Sequence, residues 1–298
     1  MGVINGEVLK AVSKKFSAEF TKFFNETESF YTQLATVVNA KAPTVDYTWL
    51  GQFPKVREWI GDRVVKDLKA YKYSIVKKRW EATISMDRDY ILYDSIGAMK
   101  PQIQQLAQSA KEHYDELIVD LIEKNDICYD GVKFFSDQHK VTIDGTKVTY
   151  SNISTDELTQ ENFLKARKGM RSIKGESGKT LKIRPNLLVV ATNLEDKAIE
   201  IVKADQIDGS TNITKGMADI LVIDDLPDNS WMLVDSRKVL KPFILQINKK
   251  PQLVALDKPT DYEAFMKAKY LYGVDAEHNA GYGLWQLARF SDGSGSSK

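Results

Sequence analysis

Val8, Val12, Phe16, Phe20 and Phe24 recur every four residues, with Lys10, Lys14, Lys15 and Lys22 mostly off that stripe. The spacing predicts an amphipathic helix at the start of the chain. After a polar break at residues 25–29, Phe30, Leu34, Val37 and Val38 carry the helical reading on to Pro43, which ends it. A helix with this many aromatics packs on its own domain or docks on a neighbouring copy, and the pattern leaves both open.

The pattern changes between Tyr47 and Arg88. Tyr71–Val76 and Trp80–Met86 are rich in β-branched and aromatic residues, and the second run alternates as a half-buried strand does. Ile103, Leu106, Ala107, Ala110, Tyr114, Leu117, Ile118, Leu121 and Ile122 then keep a helical period over about five turns. Pro101 fits the first turn of that helix, where backbone N–H groups have no partner. Asp130-Gly131 and Asp144-Gly145 are hairpin signals within residues 128–155. Thr159 is placed to cap a helix reaching Ile173. A strand at Leu187–Ala191, a helix capped near Thr192 or Asn193, and a strand at Ile220–Asp224 form an α/β-like block. The turn Pro227-Asp228-Asn229-Ser230 leads to a strand at Trp231–Val234. Two more strands are expected at Phe243–Ile247 and Leu253–Leu256, and a disordered Gly/Ser-rich tail from Ser291.

Composition narrows the function classes. The chain has 298 residues, 43% hydrophobic and 28% charged, enough for a sizeable core. Its 42 Lys and Arg nearly cancel 41 Asp and Glu, which disfavours a dedicated nucleic-acid binder. Charge is nevertheless segregated. Lys55–Trp80 holds nine basic residues against three acidic, and Lys111–Asp126 holds six acidic against two basic. The single cysteine, Cys128, excludes an internal disulfide. The opening MGVINGEVLK lacks the order of a signal peptide, and no apolar run is long enough for a membrane span. The chain is expected to stay in the cytosol or leave it inside something larger.

No motif supports catalysis. Residues 175–180, GESGKT, mimic the end of a phosphate loop, but Ile173 stands where its first glycine belongs, and no helix is expected to follow. They read as a surface turn. Cys128, Asp130, Asp137 and His139 can be drawn as a metal cluster, but a second His or Cys at ligand spacing is missing. Three histidines (His113 on the long helix, His139, and His278 near an expected turn) fall on separate elements and suggest no acid–base pair. No cofactor is expected.

One segment combines aromatics and arginines with glycine punctuation: Trp49-Leu50-Gly51-Gln52-Phe53-Pro54-Lys55-Val56-Arg57-Glu58-Trp59-Ile60-Gly61-Asp62-Arg63. It resembles the major head subunit of Mu-like phages and prophages, the gpT family. The likeness continues in order through Trp80–Thr83, Tyr129-Asp130-Gly131 with Phe134-Phe135, Arg184-Pro185, Lys241-Pro242-Phe243, Tyr270–Asp275 and Asn279–Trp285. It covers nearly the whole chain. Departures fall at Gln138-His139-Lys140 and at Tyr114, where relatives tend to carry proline.

The resemblance implies an α+β capsid fold of the Hong-Kong-97 type and a shell-forming structural protein, not an enzyme. In that frame residues 1–45 would be an N-terminal arm and 46–79 an extended hairpin, the E-loop. Residues 80–147 would be a P-domain with its spine helix at about 99–125, and 148–249 an A-domain. Return strands (250–278, including a strand through Phe265–Val274), a C-terminal strand (279–290) and the tail (291–298) would follow. The implied partners are copies of the chain, scaffolding, portal and decoration proteins, and enclosed double-stranded DNA bound without sequence specificity. An encapsulin-like nanocompartment shell is the alternative. Candidate subunit contacts are Trp49, Phe53 and Trp59, because exposed aromatics mark interfaces. Arg57, Arg63, Lys66 and Lys69 are expected to face the acidic Asp120 and Glu123.

Overall fold

The computed structural model describes residues 6–48, 50, 73–92, 96–143 and 145–295. Helix α1 (Gly6–Glu26) buries Leu9, Val12, Phe16 and Phe20, while Val8 is 39% exposed. The inward stripe therefore begins at Leu9. Helix α2 (Tyr31–Leu34) is a single turn, and strand β1 (Ala35–Asn39) follows at once. The expected helix through Val37 and Val38 is thus corrected to a strand. Thr36, Val37 and Val38 are β-branched and find a parallel partner at Phe243–Ile247, a ladder that outweighs the local helical spacing.

Strands β2 (Thr44–Asp46) and β3 (Ser74–Val76) pair antiparallel. Strand β4 (Lys78–Asp87) matches the expected alternating run, and helix α3 (Arg88–Leu92) ends it. The long helix α4 (Lys100–Lys124) starts with proline in its first turn and stops at Asn125 in the left-handed conformation (φ 43°). Asn125 also exchanges side-chain hydrogen bonds with the backbone of Phe135 (3.0 and 2.7 Å), which ties the helix end to the next segment. Strands β5 (His139–Ile143) and β6 (Thr146–Tyr150) form the expected hairpin, with Gly145 at φ +83° in its turn.

Strand β7 (Ile153–Ser154) precedes α5 (Gln160–Ser172), whose Thr159 Oγ1 accepts from Asn162 N–H as an N-cap. Strand β8 (Leu187–Ala191), helix α6 (Glu195–Lys203), the small hairpin β9 (Gln206–Ile207) and β10 (Ser210–Thr211), and β11 (Asp219–Ile223) come next. Strand β12 (Trp231–Val234) lies where its pattern places it. Residues 174–180 form a tight turn closed by Gly175 N–H to Lys179 O, with no helix after it, so the phosphate-loop likeness ends there.

The two expected strands at Phe243–Ile247 and Leu253–Leu256 are one, β13 (Phe243–Leu256), interrupted by register shifts between Ile247 and Gln252. Helix α7 (Tyr262–Lys267) takes up Phe265, which the expected return strand had included. Strand β14 (Lys269–Tyr282) runs unbroken through position 279, so return and C-terminal strands are not separate. Strand β15 (Ala288–Ser291) closes the chain's second sheet. Residues 291–295 are ordered, contrary to the disordered tail: Ser291 is buried, and Gly295 N–H donates to Thr155 O at 2.8 Å.

Two sheets organise these elements. The long one has the order β1-β13-β14-β4 and carries α1 and α4 on one face. The other has the order β11-β8-β12-β15-β7. β8 and β12 are buried at every position, as strands covered on both faces must be. A large core joins this sheet to the C-terminal half of α4, and a second, smaller one lies under α1 and the start of α4.

Candidate assembly surfaces and buried polar clusters

Of the nine residues expected at subunit contacts, Trp49, Phe53, Arg57, Trp59, Arg63, Lys66 and Lys69 lie outside the described residues. Asp120 and Glu123 are exposed on the last turns of α4. Asp120 pairs with Lys124 one turn on, both more than half exposed. Such a pair contributes about 0–1 kcal/mol, which leaves this acidic face open to other cations.

Among the described residues, an exposed apolar group lies elsewhere. Tyr262, Phe265 and Met266 on α7 are 67%, 81% and 58% exposed, and Val254 and Leu256 at the end of β13 add 43% and 46%. Aromatic and aliphatic side chains concentrated in so short a stretch mark an interaction surface. The strand expected through Phe265–Val274 gave no sign of it, because Phe265 lies on a helix instead.

The start of the chain is seated on its own helix α4. The Asp115 carboxylate accepts from Ser29 Oγ (2.9 Å) and from the N–H groups of Phe30 (3.1 Å) and Tyr31 (2.7 Å). Burial nonetheless holds its proton affinity above the ordinary carboxylate value. Lys111 Nζ sits 5.0 Å and 5.1 Å from the rings of Phe24 and Tyr31. The polar break at residues 25–29 is therefore a tether, and the first helix packs on its own subunit.

Two of the three histidines, expected on separate elements, meet between α4 and the long sheet. His278 lies within β14, not at a turn, and is 1% exposed. Its ring is 5.2 Å from that of His113, 4.8 Å from Tyr114 and 5.8 Å from Trp80. Both its ring nitrogens, His113 Nε2 and Tyr114 Oη are buried without hydrogen-bond partners. Desolvation, helped by His113, pushes the His278 pKa down to about 3, so the ring is neutral at ordinary pH. The third is hydrogen-bonded at both ring nitrogens. His139 is fully buried, with Nδ1 2.6 Å from Asp130 Oδ2 and Nε2 3.1 Å from both Phe134 O and Asn152 Oδ1. It stacks on Trp285 at 4.0 Å, nearly parallel.

Cys128, Asp130 and His139 do converge, with ligand atoms within 4.8 Å of one another; Asp137 is exposed and outside the group. The cluster is saturated as a hydrogen-bond network, since Cys128 Sγ donates to Asp130 Oδ1 at 3.1 Å. Burial, and then the Asp130 charge, push the thiol well above its ordinary value, which opposes the thiolate a metal would need. Burial raises the Asp130 carboxyl as well, but the His139 hydrogen bond and charge more than offset that and leave its pKa lowered. The arrangement locks the β5–β6 hairpin against Trp285.

Solved capsid proteins share this architecture. The procapsid protein of bacteriophage JBD30 superposes with a TM-score of 0.66 at 30% identity, over 97% of this chain and 76% of that one. A virus-like particle protein from Pyrococcus furiosus gives 0.52 at 11% identity, over 93% of this chain and 98% of its own, a likeness of fold alone. The class is therefore a tailed-phage capsid subunit of the Hong-Kong-97 type, with α+β architecture.

Sequence comparison narrows the class to a family. The model of the Mu-like prophage major head subunit gpT matches residues 9–157, 153–226 and 222–294, and the chain belongs to that family. It is 29% identical over 293 residues to the Mu-like prophage FluMu major head subunit of Haemophilus influenzae, covering 97% of this chain and 74% of that one. It is 28% identical to the major capsid protein of Escherichia phage Mu, covering 96% and 74%. The protein is a major head subunit, a structural component of a multimeric virion shell and not an enzyme, and these relatives favour that reading over a nanocompartment.

Proposed function

We propose that the chain assembles with copies of itself into an icosahedral head that encloses double-stranded DNA, with the help of scaffolding and portal proteins. The observation that carries this is the exposed apolar group of α7 and the end of β13, on a subunit whose family forms phage heads. A relative's capsid, that of JBD30, is decorated with minor capsid protein trimers, and we extend decoration of this kind to the present shell. Trp49, Phe53 and Trp59 add apolar contacts between subunits in this reading, and Arg57, Arg63, Lys66 and Lys69 face Asp120 and Glu123 of a neighbour.

Electron microscopy of the chain co-expressed with its scaffold tests the proposal, with closed particles expected. A monomer at every salt and protein concentration overturns it. Trp59→Ala is expected to lower particle yield more than subunit melting temperature, because interface aromatics cost about 2 kcal/mol or more when truncated. Lys66→Glu with Lys69→Glu is expected to slow assembly at low salt, and reversal of Asp120 and Glu123 in the same chain to restore part of the rate.

A further inference from the structure

A concave site lies at one end of the five-stranded sheet, where β8 and β11 begin and β12 ends. Its volume is about 210 Å³, and Arg167, Arg171, Arg184 and Arg237 line it together with Asn186 and Met217. The four arginines come from three separate elements. Arg167 and Arg171 are one turn apart on α5, Arg184 precedes β8, and Arg237 follows β12.

Among the described residues, none of the four has a carboxylate within ion-pair distance. The nearby Asp235 is committed to backbone, accepting the N–H groups of Arg184 (2.8 Å) and Arg237 (3.3 Å). The Asn186 side chain is likewise occupied by Ser236. Arg167 is held in place by the carbonyls of Pro185 and Met217. Burial, and then the charges of Arg171 and Arg237, make Arg167 harder to keep protonated than an ordinary arginine. Like charges gathered in a concavity repel one another, and among the described residues no carboxylate forms an ion pair with them.

We propose that this pocket binds a phosphate-type oxyanion. Guanidinium groups offer planar, two-pronged donors that match phosphate oxygens, and a multiply charged phosphate can accept several such forks at once. A single carboxylate engages one or two and leaves the others unpaired. Arg167, fixed by its carbonyl partners, forms the floor, and the exposed Arg171, Arg184 and Arg237 close around the ligand. The same chemistry is offered by a free phosphate or pyrophosphate and by the phosphodiester backbone of a nucleic acid.

Calorimetric titration of the full chain with sodium pyrophosphate, at ionic strength held constant with sodium chloride, tests the site. One saturable event is expected, weakened at least about tenfold by Arg171→Ala or Arg237→Ala, since hydrogen bonds to charged groups are the strong ones. Both side chains are exposed, and their removal relieves repulsion, so thermal stability without ligand should hold or rise slightly in each variant. Stability that falls with unchanged pyrophosphate binding makes these arginines structural and overturns the proposal. So does equal heat from chloride alone, or binding of a glutamate-rich peptide by a pocket that is indifferent to pyrophosphate. Short duplex DNA added in competition identifies the source of the phosphate. Displacement of pyrophosphate, lost in Arg171→Ala, assigns the site to nucleic-acid backbone; pyrophosphate binding that DNA leaves intact assigns it to a small free anion.

Discussion

Strands β8 and β13 show how differently two parts of this subunit are finished. All five residues of β8 are buried, and its neighbour β12 is buried throughout. β13 begins the same way, with Phe243–Ile247 inside, then shifts register and emerges until Val254 and Leu256 are nearly half exposed. The centre of the five-stranded sheet is thus complete within one subunit. The far half of the long sheet is covered by α1 and the start of α4 on one face only, and Val254, Leu256 and the neighbouring α7 leave apolar surface exposed. The two regions differ in polar groups as well. Around Trp285, Asp130, His139 and Asn152 hydrogen-bond one another or the backbone, although Ser154 Oγ and Arg289 Nε on the five-stranded sheet have no partner. The layer between α4 and the long sheet concentrates four such atoms on His113, Tyr114 and His278. A complete region contributes subunit stability, and an incomplete one leaves energy to be gained when something covers or rearranges it.

Leu188→Ala should give the largest effect. Leu188 is fully buried within β8, so truncation is expected to cost about 3 kcal/mol in denaturant unfolding. Val254→Ala, on the exposed end of β13, should cost well under about 1 kcal/mol. Equal losses would erase the contrast between the regions.

The histidine layer should make the long sheet acid-sensitive. A base whose folded pKa is depressed binds its proton more readily when unfolded. Stability is therefore full above the unfolded pKa of about 6.5 and declines as pH falls toward the folded value of about 3. Wild-type protein is expected to lose about 1 kcal/mol or more between pH 6.5 and 5, and His278→Leu to lose correspondingly less, measured as unfolding free energy at each pH. Parallel pH profiles for the two proteins would remove His278 from the account.

Phe265→Ser, at an 81% exposed position, should change subunit stability by no more than about 0.5 kcal/mol while reducing particle yield. If unfolding is as impaired as assembly, α7 belongs to the subunit's own core. The smallest effect should come from Asp120→Asn. Loss of the exposed pair with Lys124 should shift unfolding by only a few tenths of a kcal/mol, and any influence on assembly rate should vanish at high salt.

Residues whose neighbours in sequence are also their neighbours in space were legible from the start. The four-residue spacing of α1, the long period of α4, the Thr159 cap and the apolar runs of β8 and β12 each encode their element within one or two turns of chain. The family blocks were legible too, and Asp130 and Trp285 from two of them meet at the buried His139. What local spacing could not hold is pairing between distant segments. Val37 and Val38 join a strand because Leu245 and Gln246 lie beside them across some two hundred residues of sequence. His278 meets His113, and Arg237 joins Arg167, only once sheet register and helix packing bring them together. Side-chain periodicity is a short-range signal, whereas register, burial of a polar ring and convergence of like charges are properties of the packed chain, and the tertiary structure alone decided them.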